Sequence, residues 1–274
     1  MSDPLLHAAW VRAADARPTR GMLFLHGILG SGGNLRGVAQ AMVQADPSLA
    51  ALLVDLRLHG KSRGFSPPHD VTTCARDLVS LEASLPLPIT AVLGHSFGGK
   101  VALAYHQLRP GLSRIVTLDS DPGIRPDRVG SEQTMQVIAL LKTLPKDYPT
   151  RDAFTQRIQS AGHARGIADW LAMNLERTPE GFRFAVDLDG IERLLDSYFE
   201  TDLWSVLDRS DARIDVVIGG TSSVWDAEHR LRIEALARDK PAKVRVHVLP
   251  HAGHWVHVDD PAGLRAALAQ TETP

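Results

Sequence analysis

Cys74 is the only cysteine in the chain, so no internal disulfide can form, and a reducing compartment is the expectation. Also missing is any block of one charge. The 30 Lys and Arg are interspersed among 32 Asp and Glu, for a formal net charge of −2. A nucleic-acid footprint or an attachment to an anionic membrane needs clustered cations, and no such run occurs. No segment approaches the ~20 apolar residues of a membrane span. The opening residues, MSDPLLHAAWVRAADARPTRG, carry an acid early and no sustained apolar stretch, so they do not read as a signal peptide. There is no internal repeat and no low-complexity tract. Together these absences make a soluble cytoplasmic protein the expectation, with no nucleic-acid partner and no membrane span. The 274 residues, 44% of them hydrophobic, suffice for one large α/β domain with an insertion, or for two domains.

What the chain does contain is a series of short apolar runs, each closed by Gly, Asp or Pro. They are GMLFLHG (21–27), ALLVDLR (51–57), ITAVLGH (89–95), RIVTLDSDP (114–122), RIDVVIGG (213–220) and KVRVHVLPHAGH (243–254). Most are continuously apolar rather than alternating, as expected of strands buried on both faces of a parallel sheet. Amphipathic helical patterns lie between them, including NLRGVAQAMVQAD, DVTTCARDLVSLEASL, GKVALAYHQLRPG and DAEHRLRIEALARD, and PAGLRAALAQT closes the chain. This alternation predicts an α/β fold with a doubly wound, mostly parallel sheet. It breaks between about Asp121 and Leu207, where helical segments occur without a convincing buried strand. The predicted organisation is a core formed by residues 1–120 and 208–274, with residues 121–207 inserted as a helical cap over the strand ends, where open α/β sheets bind ligands.

Ser96 sits in LGHSFGGK, at the end of the ITAVLGH strand and the start of a helix. Gly94, Ser96 and Gly98 form G-x-S-x-G in the strand–turn–helix context that gives the motif its meaning. The turn is tight enough that side chains at the glycines would clash, and the helix N-terminus favours developing negative charge on the serine. A capping serine in a glycine-rich turn is the alternative. In this arrangement the base is a histidine late in the chain. His254 in HAGHWVH follows the last strand and is preferred to His251 at the strand exit and to His257 near the last helix. A metal cluster of the three histidines is disfavoured, because no Cys or acid set completes a ligand pattern. For the oxyanion, Phe97 supplies one backbone N–H as the residue after the nucleophile, and the loop FLHGILGSGGN supplies the other through Ile28. That loop lacks G-x-G-x-x-G spacing and the Lys-Ser/Thr of a phosphate-binding loop, which argues against a nucleotide. His26 reads as a loop brace.

The acid is less plainly marked. The usual position, after RIDVVIGG, reads TSSVWD, so Ser222 and Ser223 stand where a carboxylate is expected and Asp226 comes late. The RIVTLDSDP strand ends in Asp119 and Asp121, and a carboxylate there reaches the same imidazole if the geometry allows. The order of preference is Asp119, then Asp226, then Asp121.

HGILGS, DLRLHGKS (55–62), GHSFGGKVA (94–102), LDSDP (118–122) and AGHWVHVDDP (252–261) together resemble the α/β-hydrolase superfamily. Within it they are most similar to the branch of small bacterial carboxylesterases and their mitochondrial relatives, from about Met22 to Leu268. The resemblance implies the α/β-hydrolase fold and an acyl-enzyme esterase with a helical lid, a small-molecule ester substrate and no cofactor. It also implies that an acid after the strand following the nucleophile helix is an accepted variant, in favour of Asp119. Asp55, His59 and Ser62 match a stretch read as structural, with His59 near the pocket. A serine at position 96 excludes relatives whose first step needs an aspartate there. Hydrolysis of thioesters, amides or C–C bonds, acyl transfer and perhydrolysis use the same triad and stay open. So does a sensor that binds a small acyl ligand without turning it over. Trp170, Leu171, Met173, Tyr198, Phe199 and Trp204 read mostly as helix-packing core. Where they line a pocket they favour short to medium acyl chains.

Overall fold

The computed structural model describes residues 4–129 and 131–269. In chain order its strands are β1 (Ala8–Val11), β2 (Arg20–Leu25), β3 (Leu49–Val54), β4 (Ile89–His95), β5 (Arg114–Leu118), β6 (Asp147–Tyr148), β7 (Leu175–Thr178), β8 (Gly181–Phe184), β9 (Arg213–Gly219) and β10 (Val244–Leu249). The helices are α1 (Arg36–Ala45), α2 (Val71–Glu82), α3 (Phe97–Leu108), α4 (Glu132–Thr143), α5 (Arg151–Ser160), α6 (Arg165–Ala172), α7 (Leu188–Glu200), α8 (Trp204–Arg209), α9 (Ala227–Asp239), α10 (Val256–Asp259) and α11 (Pro261–Ala269).

Each apolar run became a strand of one seven-stranded sheet, ordered β1-β3-β2-β4-β5-β9-β10. All neighbours pair parallel except β1, which lies antiparallel against β3 at the edge. Side chains alternate between two buried clusters. Leu23, Leu25, Leu52, Val54 and Val92 face one side, and Met22, Phe24, Ala51, Leu53 and Leu93 face the other. Both faces are therefore covered, which explains why the runs are continuously apolar. β1 escaped the sequence reading because AAWV is short and mostly half-buried.

The stretch between β5 and β9 departs from expectation in one respect. Besides α4 to α8 it holds a three-stranded antiparallel sheet ordered β6-β8-β7. These strands have two to four residues and expose charged side chains, so no apolar run announces them. Asp147 and Arg183 stand opposite each other in register, and their side chains pair at 2.6 Å. No helix among the described residues is long and apolar enough to cross a membrane.

Candidate active site

Ser96 occupies the turn from β4 into α3 with φ +52° and ψ −120°. A non-glycine residue in this region stores strain, on the order of 1–3 kcal/mol, and holds it only where the surroundings fix it. Here the Ser96 N–H donates to Leu118 O at 2.9 Å, tying the turn to the end of β5. The flanking glycines are obligatory. A Cβ on Gly94 would stand 2.1 Å from Gly98 O, and one on Gly98 would stand 2.3 Å from Leu25 O.

Asp119, just past β5, also has positive φ (44°) and is fully buried. Its Oδ1 accepts the Gly219 N–H at 3.0 Å. Its Oδ2 accepts Ser222 Oγ at 2.5 Å and His254 Nδ1 at 2.8 Å. The carboxylate can only accept here, so the His254 proton sits on Nδ1 and Nε2 is left as a lone-pair acceptor. Of the two other candidate acids, Asp226 caps α9 through the His229 N–H at 2.7 Å. Asp121 accepts Gly123 N–H at 2.8 Å and His229 Nδ1 at 2.8 Å. Neither makes a hydrogen bond to His254. His251 is exposed in the turn after β10.

The Ile28 and Phe97 N–H groups donate to no acceptor among the described residues, and both residues border the space beside Ser96. The Gly27–Ile28 peptide is held from its other side. Gly27 O accepts Gly30 N–H at 3.0 Å and His26 Nδ1 at 2.7 Å. In a trans peptide the N–H points opposite to the carbonyl, so these two bonds aim the Ile28 N–H away from them. His26 Nε2 accepts the Leu56 N–H at 3.0 Å, which places the ring proton on Nδ1. His59 returns the exchange: its Nε2 accepts the Leu29 N–H at 2.9 Å while Nδ1 donates to Arg57 O at 2.8 Å. Leu29 itself has φ +58°, and its carbonyl accepts Asn174 Nδ2 at 2.8 Å. The turn is thus clamped from the β3 loop and from the segment after α6. Burial lowers the pKa of His26 and holds His59 at about 3, so both rings stay neutral. His59 reaches the site through Leu29 rather than by lining the cleft.

Ser96 and His254 line a cleft of about 250 Å³ together with Ile28, Trp170, Trp255 and Gln133. A recess of about 30 Å³ lies beside the same pair, walled by Phe97, Leu195, Phe199 and Val224. Trp170 packs edge-on against Trp255 with centroids 5.0 Å apart. Leu171 and Trp204 are core, as the sequence reading held, while Tyr198 and Phe199 are buried but border the recess. His95 donates from Nε2 to His254 O at 2.9 Å and so fixes the backbone of the histidine loop. Burial, then the charges of His257 and His254, push His95 well below its ordinary range, and burial takes His257 down to about 4.

Three groups escaped the sequence reading. Ser222 stands where the sequence lacks an acid, and its hydroxyl binds the acid supplied from the end of β5. His95 and Asn174 act by contacts spanning 159 and 145 residues, which leave no local pattern. Asp121, Asp226 and His229 bring possible metal-ligand atoms within 4.8 Å of one another. The Arg125 guanidinium stands at 3.5 Å from Asp121 and 3.4 Å from Asp226, so a cationic charge already occupies that cluster.

Known proteins resemble the chain over most of its length. The model of the alpha/beta hydrolase family matches residues 22–267. The sn-1-specific diacylglycerol lipase ABHD11 of Mus musculus is 29% identical over 251 residues, covering 90% of this chain and 79% of the relative. Esterase YbfF of Escherichia coli K12 is 27% identical over 250 residues, covering 90% and 91%. Among solved structures, a marine microorganism esterase superimposes with a TM-score of 0.83 at 21% identity, over 97% of this chain and 99% of that one.

Proposed function

The chain belongs to the alpha/beta hydrolase family, and from that premise we propose that it is a serine hydrolase of carboxylic esters acting through an acyl-enzyme. The observation that carries the reading is the His254 Nδ1–Asp119 Oδ2 bond at 2.8 Å. It leaves His254 Nε2 as the base in the cleft that Ser96 also lines. Esters fit because two relatives sharing most of the chain are named as a lipase and an esterase.

His254 Nε2 takes the Ser96 hydroxyl proton as Oγ attacks the ester carbonyl carbon. The carbonyl π electrons move to oxygen, and the oxyanion is held by the Ile28 and Phe97 N–H groups, each donor contributing roughly 3–4 kcal/mol. The tetrahedral centre collapses, the C–O bond to the alcohol breaks, and His254 gives its proton to the departing oxygen. Water then enters, loses a proton to His254 and attacks the acyl carbon. The Ser96 ester bond breaks and the proton returns to Oγ. Asp119 holds the imidazole tautomer and stabilises the imidazolium.

Residues 121–207 act as a lid over a core formed by 1–120 and 208–274. The recess beside Ser96, about 30 Å³, limits the acyl group to a short to medium chain. The test is the initial rate on p-nitrophenyl butyrate. Ser96→Ala and His254→Ala are each expected to lose at least about a thousandfold in kcat with unchanged thermal unfolding. Wild-type turnover in Ser96→Ala would end the reading.

A further inference from the structure

Behind the oxyanion turn lies a second concavity, about 570 Å³ and larger than the catalytic cleft. It runs between the β3 loop and the segment that begins after α6. Arg36, Lys61, Arg63 and Arg177 line it, with Glu176 and Asp55 as its carboxylates. Both acids are engaged. Glu176 pairs with Arg63 at 2.8 Å, and Asp55 accepts the Gly32 and Lys61 N–H groups at 2.9 and 3.0 Å and faces His7 at 3.1 Å. Arg36, Lys61 and Arg177 have no ion pair among the described residues. Four cations against two carboxylates leave the hollow with an excess of two positive charges, in a chain whose net charge is −2. Like charges brought together raise the local potential, which is offset when an anion enters.

The hollow and the cleft share a wall. Along the segment from Gly30 to Arg36, Gly30, Asn34 and Leu35 face the cleft, while Ser31, Gly32, Gly33 and Arg36 face the hollow. On the opposite side Trp170 lines the cleft and Met173 the hollow, about one helical turn or ~5 Å farther along. One weak contact bridges the ridge, Asn34 Nδ2 to Met173 Sδ at 3.6 Å, with Met173 47% exposed. An extended group leaving the cleft over this saddle enters the hollow that Arg36, Lys61 and Arg177 line. The recess beside Ser96 holds only about 30 Å³, so a long substituent of the ester runs along the larger cleft.

We infer that this hollow receives a phosphate carried at the far end of the alcohol, so that the preferred substrates are short-chain acyl esters of phosphorylated alcohols. Two guanidinium forks and an ammonium suit a phosphate dianion better than a single carboxylate. The assignment rests on the ester-hydrolase reading and names the substrate class of that site.

The experiment uses matched pairs: the monobutyryl esters of propanediol, hexanediol and decanediol, each with its free hydroxyl or with that hydroxyl phosphorylated. The spacer ladder measures reach and separates a compact phosphate ester from an extended one. At the best spacer the phosphate should raise kcat/KM by about tenfold or more, an advantage that shrinks with added salt. In the combined variant Arg36→Gln, Lys61→Gln, Arg177→Gln the phosphorylated-to-neutral ratio should fall to within about twofold of unity. The same pairs are titrated calorimetrically into Ser96→Ala, which reads binding without turnover. A ratio near unity in both readouts at every spacer would overturn the phosphate site, as would an advantage that the triple variant keeps. Absence of turnover with a preserved phosphate preference in binding would instead overturn the hydrolase reading and leave the site standing.

Discussion

Ser222 Oγ lies 2.5 Å from Asp119 Oδ2, the oxygen that also accepts His254 Nδ1. The loop after β9 thus sends a hydroxyl to an acid that belongs to β5. With Gly219 N–H on Oδ1, three donors fix the carboxylate, and its orientation fixes the imidazole. Ser222→Ala is expected to lower kcat by about tenfold with little change in KM, because it removes one of the three donors. Asp119→Asn disturbs the His254 tautomer itself and should cost roughly 10³–10⁴. Steady-state kinetics on a p-nitrophenyl ester separate the two, and equal losses would contradict the division of labour.

Asp226 provides the control for the acid. As the N-cap of α9, its replacement by Asn or Ala is expected to change stability by at most roughly 0.5–2 kcal/mol. Turnover should stay within a few-fold of wild type. Urea unfolding beside the rate assay checks both, and a loss of activity matching that of Asp119→Asn would reassign the acid.

The turn bearing Ile28 is held by His59 at Leu29 N and by Asn174 at Leu29 O. Their loss should blunt a donor that matters most when the oxyanion forms. His59→Asn and Asn174→Ala are expected to lower kcat by about 10- to 100-fold and to leave KM nearly unchanged. A raised KM with unchanged kcat would mean that these residues shape only the ground-state pocket.

Five histidines, His26, His59, His95, His106 and His257, have folded pKa values pushed below 6.5 by burial, His59 to about 3 and His257 to about 4. Below pH 6.5 the unfolded chain takes up protons that the fold refuses. Stability is therefore full above that value and falls as pH drops toward about 4 and 3, by an amount on the order of a few kcal/mol. Asp121, raised by burial, works in the opposite sense but is a single group. Urea midpoints at neutral and mildly acidic pH read this directly, and a constant midpoint down to pH of about 4.5 would contradict it.

Acyl preference follows from the recess of about 30 Å³. Across p-nitrophenyl esters of increasing chain length, kcat/KM should peak at short to medium chains and then decline. A flat profile would show that the recess does not hold the acyl group.

The central sheet was legible because burial on both faces writes itself as apolar runs, and Ser96 because a tight turn admits only glycine at 94 and 98. His254 and Asp119 followed from strand ends. The sheet β6-β8-β7 was hidden because four-residue strands with exposed charges carry too short a period. The part Ser222 plays was not legible, because a hydroxyl that serves an acid from another strand has no spacing signature. Asn174 and His95 became visible only when the fold joined distant segments.

The most direct measurement is reaction of the wild-type protein with a fluorophosphonate probe, with the adduct located by peptide mass spectrometry. A single modified residue, Ser96, is expected, with no labelling of Ser96→Ala or His254→Ala. Modification elsewhere, or undiminished labelling of Ser96 without His254, would contradict a Ser96 nucleophile activated by His254.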